Sequence, residues 1–333
     1  MTSMDIPTLA APTLAQPRRQ SEWGLWVERH RVLLVLAILA ILPVALPYPA
    51  LAINILIYGL FATGFNLLFG YTGLLSLGHA ALFGAGAYGC GIAVAALGLP
   101  WFVAIAAGIA LAIFVAAVIG GLAIRTKGVY FSMVTLALAQ CLYFIFYQWT
   151  SVTGGESGLR GVAVTKIGVE PLRIDLLDPY QKYYFFLVFV AVALAAFSRI
   201  LQSPFGSVIE GIRENENRAR ASGYSLDWMK WMSFVLSGAF CGLAGALNAI
   251  HLGIVSIETL FYTTSGTVVM TVLLGGMGTF FGPIVGAALF LSLEDITSNW
   301  TSHWQLIAGL IFIVCVRFFP KGVWGSALAR FRS

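Results

Sequence analysis

Long stretches of this chain carry no charge at all. The 22 residues Val103–Ile124 and the 15 residues Val32–Leu46 are uninterrupted apolar runs, and similar runs recur along most of the sequence. A soluble domain devotes roughly a quarter of its residues to Asp, Glu, Lys and Arg. Here the share is 10%, against 59% hydrophobic residues. Such a chain cannot cover a water-facing surface, which excludes a soluble globule. A membrane barrel would show alternating strands of about ten residues, and these runs are continuous. Helices remain, because a helix satisfies its own backbone in hydrocarbon. The fold class is therefore all-α: a polytopic integral membrane protein of about 8–10 transmembrane helices, some discontinuous.

A crossing needs about 20 mostly apolar residues. Ten candidate spans meet this: 31–49, 51–70, 77–97, 101–124, 128–149, 182–202, 229–254, 263–280, 283–299 and 304–320. Lys and Arg collect on the cytoplasmic side of membrane proteins. With the N-terminus inside, fifteen of the 19 fall inside, from Arg18 to Arg332. Only Arg160, Lys166, Arg173 and Lys182 fall outside. An even span count then puts both termini in the cytoplasm. Residues 1–30, with Pro7, Pro12 and Pro17, read as a disordered cytoplasmic tail without a secretory signal. Residues 31–325 form the membrane domain, with an outward loop at 150–181, and 326–333 a short cytoplasmic tail. The net charge of +5 comes from basic residues scattered at span ends, so it indicates the lipid bilayer and no nucleic acid. The four cysteines lie inside apolar segments without disulfide or zinc spacing, so no metal site is expected.

The most polar run, EGIRENENRARASG at 210–223, lies between two spans. Ser203-Pro204-Phe205-Gly206 breaks the preceding one. Ser207 and Glu210 have capping-box spacing, helix formers follow, and Gly223 supplies a left-handed stop. One cytoplasmic helix of about 15 residues over 207–223 is predicted. Val208, Ile209 and Ile212 give it a small apolar edge, and the rest is charged in both signs. A helix lying on lipid would carry a larger apolar face and a mainly basic polar one. Two readings stand: a solvated connector, or a rigid docking surface for a cytoplasmic partner.

Several short motifs add to this in order. They are Gly70-Tyr71-Thr72-Gly73 with Ser76-Leu77-Gly78-His79-Ala80, Tyr130-Phe131 with Thr135-Leu136-Ala137, and Thr153-Gly154-Gly155. Ser203-Pro204-Phe205-Gly206, Ile212-Arg213-Glu214-Asn215-Glu216 and Gly275-Gly276-Met277-Gly278-Thr279 with Gly282-Pro283 follow. From about residue 50 to 325 the chain resembles the LivM-type permease subunit of ABC importers for branched-chain amino acids. The resemblance implies a homologous, LivH-like second permease, two cytoplasmic ATPase subunits and a periplasmic substrate-binding protein. It implies a multi-pass protein of the bacterial inner membrane, and it makes 207–223 the coupling helix. Arg213, Glu214, Glu216, Asn217, Arg218, Ala219, Arg220 and Gly223 are the residues expected to couple to the ATPase. ABC permeases commonly carry a Glu-Ala-Ala motif followed by Gly. Ala219 and Gly223 match it, Asn217 stands at the acidic position, and Glu214 or Glu216 is left to take the acidic role.

A nucleotide-driven pump needs a phosphate-cradling Gly-Lys step. None of the five lysines follows a glycine, so no cofactor is expected in this chain, and any ATP is used by partner subunits. Neither a metalloprotease nor a nucleophile-elbow motif occurs, and no enzyme active site is read. Glycine is dense in 70–91 and again in 275–287. This suits tight helix packing or a broken helix whose free amides line a pathway. Gly70, Thr72, Gly73, Ser76, His79, Gly275, Gly276 and Gly278 are the candidate pathway residues. The two stretches share a texture, with too few identities to establish a repeat. His79 reads as a packing histidine bonded to a carbonyl, with a proton carrier as the alternative. Glu294 and Asp295 fall near the outer face. No acid sits at a span centre, which disfavours an ion-coupled carrier. A urea or short-amide importer stays open as a substrate alternative.

Overall fold

The computed structural model describes residues 22–162, 166–167, 174–301, 303–318 and 322–331. Its helices follow the apolar runs. In chain order they are α1 (Glu22–Ala45), α2 (Pro49–Asn66, extended by a π-helical turn Leu67–Tyr71), α3 (His79–Ala95), α4 (Trp101–Ala123), α5 (Val129–Gln148), α6 (Thr150–Thr153) and α7 (Pro179–Gln202). Then come α8 (Pro204–Glu214), α9 (Glu216–Ala221), α10 (Leu226–Leu252), α11 (Tyr262–Gly275), α12 (Gly282–Trp300), α13 (Trp304–Phe318) and α14 (Gly322–Phe331). Four two-residue strands, β1 (Leu159–Arg160), β2 (Lys166–Ile167), β3 (Ile174–Asp175) and β4 (Ile254–Val255), and two 3-10 turns, Gly155–Ser157 and Ile257–Leu260, complete the elements among the described residues. β1 pairs antiparallel with β4, and β2 with β3. Each of the ten candidate spans coincides with one helix. Among the described residues five helices are long and apolar enough to cross a membrane alone: α2 with its π turn, α4, α5, α7 and α10.

The tails depart from expectation. Residues 1–21 lie outside the described residues, but 22–30 are already helical, as the opening turns of α1. No proline follows Pro17 there, and Glu22 sits at the positive end of the helix dipole. The tail expected at 326–333 is likewise helical through Phe331, in Ala, Leu and Arg that favour helix.

α10 is the axis of the bundle, with α2, α3 and α4 packed on it. It also fixes two ends. Near its start Lys230 meets Glu216, and near its finish the His251 carbonyl accepts from Lys182 Nζ at 3.4 Å. These positions are about 31 Å apart along a helix. The Lys127–Lys230 end and the Arg160–Lys182 end are therefore opposite, as the Lys and Arg distribution requires.

Small residues let these helices touch. A side chain at Gly86 of α3 would strike the backbone of Gly242, and one at Gly245 of α10 would strike the Phe83 carbonyl. Without a hydrophobic drive between helices in lipid, such close backbone contact is what holds them.

Two breaks interrupt the bundle. Residues 72–78 are not helical, and α3 begins at His79 beside Ser237, about 16 Å up α10 from Leu226. Irregular backbone at that depth must be buried in protein and hydrogen-bonded. Ser132 Oγ donates to the Leu75 carbonyl, Leu77 N–H donates to Thr135 Oγ1 and Ala80 N–H to Ser265 Oγ. The second break, 253–261, follows α10 and descends along α3 before α11 begins.

The packing pattern maps onto itself when α2, α3 and α4 are exchanged for α10, α11 and α12. α10 packs on α3 and α4; α2 packs on α11 and α12; α2 and α10 pack on each other. The glycine stretch 70–91 thus has its counterpart in the segment running from 253 into α11. It does not pair with 275–287, as the shared texture suggested.

Candidate functional site

The polar run forms two helices where one was expected. α8 starts at Pro204, the favoured first position for proline, with Ser203 at its N-cap. The Ser207–Glu210 capping box does not form, because Ser207 is already inside the helix, its N–H directed at the Ser203 carbonyl. α8 ends at Asn215, whose backbone is extended (φ −157°, ψ 102°). The Asn215 side chain accepts from Arg218 N–H at 3.0 Å and caps α9. Asparagine competes for backbone bonds in this way, which makes it a better cap than an interior residue. Gly223 follows at φ 87° and turns the chain toward α10.

α8 buries Ile209 and Ile212, each contributing about 2 kcal/mol. α9 buries nothing. The two isoleucines seat α8, and charged groups tie the pair down at two further points. At the first, Arg213 donates from its guanidinium to the Gly70 carbonyl, at the negative C-terminal end of α2. Its side chain passes Gly73 and reaches Gly278, where a Cβ would lie 2.5 Å from the guanidinium. Gly278 is held at φ 71°, a conformation that glycine adopts without strain. Asn66 ties the same loop to α2. It accepts from Gly278 N–H at 2.9 Å and donates from Nδ2 to the Thr279 carbonyl at 3.0 Å. Thr279 Oγ1 closes the loop by donating to the Gly276 carbonyl and accepting from Gly282 N–H.

The second point is Glu216. Lys230 Nζ lies 2.9 Å from its carboxylate, Arg220 at 3.8 Å and Lys127, between α4 and α5, at 4.0 Å. The Lys230 side chain is only 7% exposed. Lys230 chiefly holds the Glu216 carboxyl below its ordinary value of 4.5, with Lys127 and Arg220 adding to it. A depressed carboxylate stabilises the fold above its unfolded value and loses that contribution as pH falls through the folded one. This clamp is therefore intact at neutral pH and opens only in acid. Glu216→Ala leaves the Lys230 ammonium buried without a counter-charge. The expected cost is about 1–2 kcal/mol, at the low end for a broken pair because Glu216 is itself about a third exposed. Adding Lys230→Met should recover most of it in thermal unfolding, and a double variant no more stable than the single one contradicts the pairing.

Between α8 and α9 lies a cleft of about 410 Å³, lined by Val208, Gly211, Glu214, Asn215, Arg218 and Tyr224. Of the expected coupling residues, Glu214, Arg218 and Ala219 line it. Asn217 and Arg220 are exposed on α9. Arg213 and Glu216 reach back toward the membrane helices.

The expected pathway residues separate into two groups. Gly70, Gly73 and Gly278 surround Arg213, Gly276 accepts from Thr279 in the adjoining loop, and Gly275 packs on Gly282 and Gly286. Thr72, Ser76 and His79 are buried in and above the first break. His79 Nε2 lies 2.9 Å from Ser237 Oγ, and Ser237 donates to the Gly64 carbonyl at 2.6 Å. The ring is thus joined to a carbonyl through one hydroxyl, and it stands edge-on to Phe65 at 4.8 Å. Asn66, Lys127 and Lys230 were not singled out from sequence, since both lysines lie at span ends, where an exposed charge is ordinary.

The sequence profile of the family described as branched-chain amino acid transport system / permease component matches residues 49–316. The high-affinity branched-chain amino acid transport system permease protein LivM of Escherichia coli is 28% identical over 315 residues, covering 87% of this chain and 74% of its own. LivH of Salmonella typhimurium is 22% identical, covering 80% of this chain and 91% of its own. The galactose/methyl galactoside import permease protein MglC of Salmonella typhimurium is 27% identical over 187 residues, covering 53% of this chain and 52% of its own. No solved structure matches.

Proposed function

The chain belongs to the family of branched-chain amino acid transport permease components, and from that premise we propose that it is one of two homologous permeases in a binding-protein-dependent ABC importer. Its cargo is branched-chain or similar aliphatic amino acids, and its site is a bacterial inner membrane. Of the two ATPase subunits, one docks on α8 and α9 of this chain in the cytoplasm, where both termini also lie. A periplasmic binding protein delivers cargo near 150–181.

The observation that supports this reading is the double clamp on α8 and α9. A connector needs no such anchorage. A helix pair joined to α2 and the 276–282 loop by Arg213, and to α10 and the α4–α5 turn by Glu216, passes any displacement to all of them. Gly70, Gly73, Gly276 and Gly278 then serve as the socket for that transfer. Thr72, Ser76 and His79 form the hinge above it, at the start of α3. Glu214 and Arg218 present charge of both signs to the incoming subunit.

The test is uptake into vesicles holding the chain with its partner subunits. Uptake of leucine that needs both ATP and binding protein supports the assignment. Uptake driven by an ion gradient without ATP points to a secondary carrier instead.

Gly211 offers a sharper check. It lines the α8–α9 cleft, and nothing lies within 4 Å of where its side chain would be. Gly211→Leu fills the cleft while relieving a glycine in mid-helix, worth about 0.5–1 kcal/mol of added stability. The expected result is a chain at least as stable as wild type whose uptake falls several-fold. Wild-type uptake places docking elsewhere.

A further inference from the structure

At the end opposite α8 and α9, a cleft of about 480 Å³ opens between the starts of α2 and α11 and the ends of α10 and α12. Three carboxylates line it, Glu258, Glu294 and Asp295, and no Lys or Arg does. Asp295 is taken by the Tyr48 hydroxyl, which donates to it. Glu258 and Glu294 make no side-chain ion pair or hydrogen bond among the described residues.

The floor is polar and neutral. Asn248 is 5% exposed, yet its carboxamide has no hydrogen-bond partner among the described residues. The carboxamide lines the cleft and is free to pair with a polar group bound there. Tyr58, about 13 Å down α2 from Pro49, places a hydroxyl in the same space, also unspent. Leu51, Leu252 and Leu291 supply apolar wall.

We infer that this cleft is an outward-facing binding site within the single subunit for an aliphatic amino acid. Its ammonium meets Glu294 and Glu258, its carboxylate meets the Asn248 amide and the Tyr58 hydroxyl, and its side chain lies on the three leucines. The site adds a cargo-holding step to the transport function proposed above and rests on that reading for its biological use. Its chemistry stands on the cleft alone. No trio of His, Cys, Asp or Glu suited to a metal occurs among the described residues, and the volume fits an organic cation better than a bare ion.

The experiment is equilibrium binding to the full-length chain in nanodiscs, without binding protein or ATP. The probes are leucine, isoamylamine, which lacks the carboxylate, and 4-methylpentanoate, which lacks the ammonium. Leucine and isoamylamine are expected to bind and 4-methylpentanoate to fail. Glu294→Gln should weaken both ligands about tenfold. Asn248→Ala should weaken leucine several-fold and leave isoamylamine unchanged, a split that general misfolding cannot produce. No leucine binding, equal competition by 4-methylpentanoate, or indifference to both variants overturns the site. ATP-driven leucine uptake is measured alongside: uptake without binding sinks this site and leaves the importer standing, while binding without uptake does the reverse.

Discussion

Arg213→Ala is expected to cut uptake at least tenfold while the chain still folds and inserts. The guanidinium is the direct link from α8 to the end of α2 and to the Gly278 turn. Removing it costs one charge-assisted hydrogen bond, roughly 1.5–3 kcal/mol, at a residue exposed enough that no core cavity opens. The Glu216 clamp remains, so α8 and α9 stay attached on one side only. ATP hydrolysis should continue and lose its coupling to cargo. Arg213→Lys keeps the charge but not the planar fork, and should recover uptake in part. The measurements are uptake, ATP hydrolysis and thermal unfolding on the same preparations. Full uptake in the alanine variant removes Arg213 from the transfer path; a large stability loss makes its role structural.

Gly245→Leu should abolish the folded protein, and Gly86→Leu should do nearly as much. Both positions face backbone across the α3–α10 contact, so no flexible side chain can give way. Overpacking ordinarily costs about 1–3 kcal/mol; here the helices must separate, and α4 loses its seat as well. Folded, monodisperse protein in detergent should drop below about a tenth of wild type, which means that the clash exceeds the whole margin of stability, about 5 kcal/mol or more. Gly309→Leu is the control, with open space around that glycine of α13. Equal yields from Gly245→Leu and Gly309→Leu would falsify the close-packed contact.

The ten helices were legible because lipid demands long apolar runs, and hydropathy reports those directly. The breaks were not. Nothing local in Thr72–Gly78 announces that Ser132 and Thr135, more than fifty residues later, satisfy its backbone. Asn215 looked like one more polar residue of a helix, and only its cap on Arg218 shows the helix ending there. Arg213 and Glu216 read as surface charge because their partners, Gly70 and Lys230, are invisible to local pattern. The glycine-dense stretches 70–91 and 275–287 stand out in the sequence, but their texture alone could not place Gly70, Gly73 and Gly278 around Arg213. The chemistry that sequence marked best was Gly223, where a left-handed turn leaves few other choices.

The glycine faces of α3 and α4 have a consequence for biogenesis. Their main partner, α10, is completed about 130 residues after α4. At a translation rate of roughly 5–20 residues per second, the nascent chain waits several seconds to half a minute with those notched surfaces turned toward lipid. A ribosome-bound intermediate of this kind is exposed to mispairing with any neighbouring small-residue helix. Slower elongation between α5 and α10 is therefore expected to lower the folded yield, by lengthening that exposure.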